Sequence, residues 1–204
     1  MLLCIETSTR EGSLALIDRE GAVVRELGAD TAAILALSVA ELVPDLSKIE
    51  AFAIDVGPGS FTGLRIGISF MKGLAAVHRV PAIPISSLEI IATRLAETHP
   101  DRDLFLPVID ARKGDVFAAL YRREGDRVAI DPRLPEGLHR FADLSAIGGV
   151  DPQNLTPTAS VLGRIAMSDL ARRGVDALAV EPAYLQPSGA EINLGIRAPG
   201  PHRM

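Results

Sequence analysis

A chain of 204 residues with 48% hydrophobic and 23% charged side chains can bury a core large enough for one domain or two small ones, which excludes a disordered segment. Aromatic residues make up only 4%, there is no Trp and the formal net charge is -5, so neither a stacking platform for bases nor a basic surface for phosphates is at hand. Contact with nucleic acid is expected only through a partner.

The first apolar run, "MLLCIETS", contains the single cysteine, Cys4. One thiol builds no disulfide framework, so a buried, inert group in a reducing cytoplasm is expected. The run stops at Glu6, too short for a signal peptide, and no stretch approaches the roughly 20 apolar residues of a membrane span. Residues 2 to 6, 13 to 18 and 22 to 27 are predicted strands joined by "STREGS" and "DREGA", an antiparallel meander. A helix over 31 to 43, a strand over 51 to 56, a glycine-rich turn, a helix over 62 to 78 and the strand "AIPI" follow. Ser86 then opens a third helix as N-cap, with Glu89 at its third position in a capping box.

Strands separated by helices become parallel neighbours through right-handed crossovers, so the meander should edge a mixed five-stranded sheet of ribonuclease H-like order. After a polar linker at 98 to 103 the pattern partly restarts: strands "LFLPVID", "VFAALY" and "RVAID", with turns at "ARKGD" and "REGD". A duplicated unit is the plan of the actin-like ATPase superfamily. The expected α/β organisation is an N-terminal subdomain over 1 to 100, a smaller one over 101 to 190 and a tail over 191 to 204. Past Asp131 the periodicity fades.

The turn comprises Gly57, Pro58, Gly59, Ser60, Phe61, Thr62 and Gly63. It fits neither the P-loop nor the dinucleotide fingerprint, and no lysine follows until Lys72. Two readings stay open. Backbone N–H groups at the helix N-terminus hold an anion, or Pro58 and Gly59 make a sharp turn, Ser60 or Thr62 caps the helix, and Gly63 and Gly67 let it pack closely.

The helix after this turn has two apolar faces, and the one before it, "TAAILALSVAELV", is apolar nearly all round. Either a core encloses both or an intermolecular interface covers them. His78, His99, His139 and His202 are scattered without metal-ligand spacing, and Ser60 lies in no nucleophile elbow. Glu6, Asp55 and Asp110 stand at strand ends, where open sheets bind ligands and where structural carboxylates are also common.

The segments "IETSTREGSLALID", "GPGSFTGLRIGIS", "PAIPISSLE", "IDARKGDVFAALY" and "EPAYLQP" resemble the bacterial TsaB (YeaZ) family, in the family's order, from residue 5 to about 187. The resemblance implies a non-catalytic actin-like subunit of the complex that makes N6-threonylcarbamoyladenosine next to the anticodon of tRNA. It implies a TsaD-type paralogue as dimer partner, a TsaE-type ATPase in a larger complex, tRNA reached only through that complex, and self-pairing when the paralogue is absent. Its partner contact falls on the two apolar helices, giving Ile34, Leu35, Leu37, Ser38 and Glu41 on the first and Leu64, Arg65, Ile68, Phe70 and Met71 on the second.

Actin-like ATPases carry an acidic residue, usually Asp, on the first strand near a magnesium-bound phosphate; here it is Glu6. Residual nucleotide or anion contacts would involve Glu6, Thr7, Ser8 and Asp110. The implied chain needs no cofactor or metal, with ATP or ADP confined to the partner seam. The alternatives are a weak nucleotide hydrolase, a peptidase acting on the paralogue, and a regulatory homodimer. Arg112 and Lys113 fall on an expected hairpin tip, read as a solvated turn or as a phosphate contact within an assembly.

Overall fold

The computed structural model describes residues 1 to 18, 20 to 147 and 155 to 185. The tail over 191 to 204 and the end of the "EPAYLQP" motif lie outside the described residues.

Three antiparallel strands lead the chain: β1 (Leu2–Glu6), β2 (Ser13–Ile17) and β3 (Ala22–Glu26). Helix α1 (Thr31–Leu42) returns to β4 (Ala51–Asp55), and α2 (Phe61–His78) returns to β5 (Ala82–Ile85). The sheet order is β3-β2-β1-β4-β5, with β1, β4 and β5 parallel, as the crossovers require. Helix α3 (Ser87–Thr98) begins at Ser86, whose Oγ accepts from Leu88 N–H at 3.1 Å.

Every residue of β1 and β4 is buried, because both faces of the sheet are covered. On one face Leu3, Ile5, Phe52 and Ile54 meet Leu35 and Val39 of α1 and Ile68 and Met71 of α2. On the other face Leu2, Cys4, Ala51 and Ala53 meet α4 (Ala159–Arg173), through Ala159, Leu162, Ile165 and Ala166. This face is made of smaller residues, and α4 approaches so closely that a Cβ on Gly163 would lie 2.8 Å from Cys4 Sγ. Burial pushes the Cys4 thiol up to about 12, leaving it inert near neutral pH. Helix α4 was not foreseen, because the residues before it carry no periodic pattern.

The second half departs from the expected meander. The run "LFLPVID" divides at Pro107 into β6 (Leu104–Phe105) and β7 (Val108–Arg112), which belong to different sheets. Proline has no N–H to give a ladder, so the chain changes sheets there. "VFAALY" divides likewise at Ala119 and Leu120 into β8 (Asp115–Ala118) and β9 (Tyr121–Glu124). With β10 (Arg127–Ile130) and β11 (Gly137–Arg140), two three-stranded sheets form, β10-β9-β6 and β11-β8-β7. Helix α3 packs Leu88, Ile91 and Leu95 onto Phe105 and Tyr121 and so joins the halves.

The chain then returns to its first sheet. Ala82 and Val175 exchange two backbone hydrogen bonds, and Ala183 N–H donates to Val56 C=O at 2.8 Å. Among the described residues no helix is long and apolar enough to cross a membrane.

Candidate functional site

Strands β1 and β4 end side by side, which brings Glu6 and Asp55 to one edge of the sheet. Glu6 is 1% exposed and Asp55 is fully buried, and neither pairs with a cation among the described residues. Hydroxyls and backbone N–H groups solvate them instead. Glu6 Oε1 accepts from Ser8 N–H at 2.7 Å and Thr9 N–H at 3.2 Å, and Oε2 from Ser13 Oγ at 3.4 Å. Asp55 Oδ1 accepts from Gly57 N–H at 2.8 Å and Ser87 Oγ at 2.6 Å.

Ser8 Oγ lies between the two acids, 2.8 Å from Glu6 Oε1 and 2.7 Å from Asp55 Oδ2. A hydroxyl carries one proton and serves only one of these contacts as donor. The other contact needs a proton on a carboxyl. Burial first, then the charge of Asp55, push Glu6 up to about 8, against the pull of its Ser8 and Thr9 hydrogen bonds. Asp55 is pushed up to about 6 by burial, opposed by Ser87, Gly57 and Ser8, with Glu136 adding to the rise. Burial raises both acids above the usual carboxylate range, which favours one proton on the pair, completing the contacts that Ser8 Oγ makes with each.

The glycine turn lies directly against this cluster. Gly57 has φ +99° and precedes Pro58 through a cis peptide bond. Ser60 N–H donates to Ser8 C=O at 2.7 Å, Ser60 Oγ accepts from Gly63 N–H at 3.2 Å, and Thr7 Oγ1 donates to Gly63 C=O at 2.8 Å. A Cβ on Gly63 would stand 2.0 Å from the Thr7 carbonyl oxygen, and one on Gly67 2.2 Å from Thr7 Oγ1. These glycines let α2 press its head onto the end of β1. That favours the packing reading of the turn, with Ser60 as the cap.

A cleft of about 340 Å³ opens beside the turn, between Ser8, Thr9 and Pro58 on one wall and Ile109, Asp110 and Thr156 on another. Of Glu6, Thr7, Ser8 and Asp110, Ser8 and Asp110 line this cleft, whereas Glu6 and Thr7 are buried behind it; Asp110 is exposed on a hairpin, its Oδ1 accepting from Arg112 N–H at 2.8 Å. Among the described residues no group of three His, Cys, Asp or Glu side chains converges to hold a metal ion.

A family model described as "TsaD: tRNA N6-adenosine threonylcarbamoyltransferase" matches residues 31 to 160. The chain belongs to that family. Its relatives include the tRNA threonylcarbamoyladenosine biosynthesis protein TsaB of Haemophilus influenzae, 36% identical over 130 residues, covering 60% of this chain and 54% of that protein. The TsaB of Bacillus subtilis is 36% identical over 132 residues, covering 59% and 55%. The chain therefore spans about half the length of the curated relatives it matches. Among solved structures, YeaZ from Pseudomonas aeruginosa superposes with a TM-score of 0.80 at 27% identity, over 90% of this chain and 99% of that one. The mixed five-stranded sheet with flanking helices and smaller sheets is thus the TsaB/YeaZ arrangement, of actin-like ATPase type.

The ten residues assigned to a partner surface divide sharply in this TsaB-like fold. Leu35, Ser38, Leu64, Ile68 and Met71 are buried in the chain's own core, so no partner reaches them. Ile34 and Phe70 pack half-buried against the same core. Leu37, Glu41 and Arg65 face solvent. Glu41 pairs with Arg25 of β3, and Arg65 is engaged within the chain: its guanidinium lies 4.0 Å over the Phe61 ring and its Nε donates to Tyr184 OH at 2.9 Å. Helical periodicity alone could not divide these residues, because α1 is apolar on both its inner and outer sides.

Sequence reasoning also missed a second acidic group. Glu136 Oε1 accepts from Ser86 Oγ and Tyr121 OH, each at 2.5 Å, tying the head of α3 to β9. Burial raises Glu136 above the usual carboxylate range. Its only sequence signal was the paired serines at the start of α3.

Proposed function

We propose that this chain is a non-catalytic accessory subunit that pairs with a TsaD-type threonylcarbamoyltransferase in making N6-threonylcarbamoyladenosine next to the anticodon of tRNA. The observation that carries the reading is the outer side of α1, where Leu37 is 61% exposed amid Ala33, Ala36 and Ala40, also exposed. Burying one leucine side chain is worth about 1.5 to 3 kcal/mol, so this largely apolar face, whose one acid Glu41 is paired with Arg25, is suited to a partner's helix. The non-catalytic part of the reading is supported by Glu6 and Asp55, which are enclosed and held by hydroxyls rather than turned toward a substrate.

In this scheme the N-terminal subdomain over 1 to 100 presents the partner surface and the subdomain over 101 to 190 completes the cleft. A TsaE-type ATPase joins the pair, tRNA is reached through the assembly in the cytoplasm, and ATP or ADP binds at the seam. Without its paralogue the chain pairs with itself through the same helices.

The test mixes the purified chain with its TsaD-type partner, sizes the species by light scattering and assays threonylcarbamoyl transfer to tRNA. A heterodimer is expected, with transfer only in the mixture. Leu37→Glu should weaken association on the order of a hundredfold while shifting monomer stability by no more than about 0.5 kcal/mol. Normal pairing by that variant, or turnover by the chain alone, would sink the reading.

A further inference from the structure

We propose that the carboxyl proton held by Glu6 and Asp55 about Ser8 is a latch that seats the head of α2, and that its loss releases both that head and the cleft-lining turn at 7 to 9. The inference concerns this chain by itself and goes beyond its role toward a partner.

Three observations converge on the latch. Ser8 is the one hydroxyl that touches both acids, at 2.8 and 2.7 Å, and its single proton leaves the network incomplete unless a carboxyl supplies a second. The same residue anchors α2, since Ser8 C=O accepts the Ser60 N–H at 2.7 Å, and the adjacent Thr7 Oγ1 donates to Gly63 C=O at 2.8 Å. Ser8 and Thr9 also form one wall of the cleft. Whatever moves Ser8 moves all three.

Removing the proton leaves two facing carboxylates with one hydroxyl between them. Ser8 can then donate to only one, and the other contact becomes a repulsion between lone pairs in a site without water-like screening. Among the described residues no cation pairs with either acid. The first turns of α2 and α4, like β2, carry no charged side chain, and Arg10 and Glu11 in the intervening turn point to solvent. Glu136 is a further acid that raises Asp55, and Glu89 of α3 in turn raises Glu136, to which Tyr121 of β9 donates a hydrogen bond. Asp110 stands exposed on the far wall of the cleft. Among the described residues the neighbouring acid Glu136 therefore opposes a second negative charge on the pair.

The reporter is built in, because the Ser60 amide is bonded to Ser8 itself. Amide hydrogen exchange of the full chain, corrected for the intrinsic effect of pH, is compared at pH 6.5 and 9 for the wild type and Glu6→Gln. Gln retains an N–H donor toward Ser8 and cannot ionise. Protection of Ser60 and its neighbours in the α2 head should fall at least tenfold in the wild type between these pH values and stay level in Glu6→Gln, with the central strands unchanged in both. Unchanged protection at Ser60 in the wild type, or an equal loss in the variant, overturns the latch. If Glu6→Gln does not fold, the side-chain carboxyl carbon-13 shift of Glu6 in the wild type decides: titration in step with Ser60 exchange supports the latch, and titration near the ordinary glutamate range overturns it.

Discussion

On its inner side α2 carries Gly63 and Gly67, where any Cβ would strike Thr7, and Leu64, Ile68 and Met71, all buried; on its outer side Gly73 faces open space and Val77 is 74% exposed. The same residue type thus has opposite meanings 10 residues apart on one helix. Glycine at 63 is required by contact, whereas glycine at 73 costs helix stability without an internal return. The difference separates the part of α2 that the fold explains from the part that faces solvent.

The sharpest way to break that comparison is to make one substitution twice. Gly63→Ala gains helix propensity but forces Cβ onto the Thr7 backbone, which cannot swing aside as a side chain would, so a net loss of about 3 kcal/mol is expected. Gly73→Ala meets nothing within 4 Å and should gain about 0.5 to 1 kcal/mol. Urea unfolding of the two variants checks both signs. A neutral Gly63→Ala would mean that α2 does not need its close seat on β1.

The next effect is a dependence on pH set by the acids beneath α2. Glu6 is raised from 4.5 to about 8 and Asp55 from 3.8 to about 6, so over these windows the folded chain holds more protons than the unfolded chain. Stability must then fall as pH rises, from the ordinary carboxylate range up to about pH 8, with a slope of at most about 1.4 kcal/mol per pH unit for each retained proton. This is the reverse of a carboxylate in an ion pair such as Asp131, where Arg133 holds the acid at about 2 and stability is lost only on strong acidification. Urea midpoints from pH 5 to 9 should decline for the wild type and flatten over the upper half of that range in Glu6→Gln. Equal slopes would place the proton elsewhere.

Much of this arrangement was legible in the sequence, for identifiable reasons. The five-stranded order followed from three strands divided by glycine-bearing turns and then strands divided by helices, while the cap of α2 stayed open between Ser60 and Thr62 until the structure placed it at Ser60. What could not be read was which apolar residue faces which way. In α1, Ala, Ile, Leu and Val lie on every side, so only the packed structure separates Leu35 from Leu37. Pro107 lay in plain view, yet its effect depended on a second sheet being available to receive the chain. The pairing of Glu6 with Asp55 through Ser8 spans 49 residues of sequence and arises only because β1 and β4 are neighbours.

The smallest expected effect tests where the outer side of α2 begins. Arg65 was assigned to a partner surface, yet it lies over Phe61 and donates to Tyr184, whose ring centroid is 5.1 Å from that of Phe61. All three groups border solvent, so the lost hydrogen bond in Tyr184→Phe should cost no more than about 0.5 to 1 kcal/mol. A double-mutant cycle of Tyr184→Phe with Arg65→Ala should return a coupling of about 0.5 kcal/mol, because the cation over the Phe61 ring remains when the hydroxyl is gone. Zero coupling would mean that Arg65 is free of the chain's own C-terminal segment in solution. Its guanidinium would then belong with Leu37 on the exposed surface proposed for a partner, and the boundary drawn along α2 would move by one helical turn toward the glycine motif.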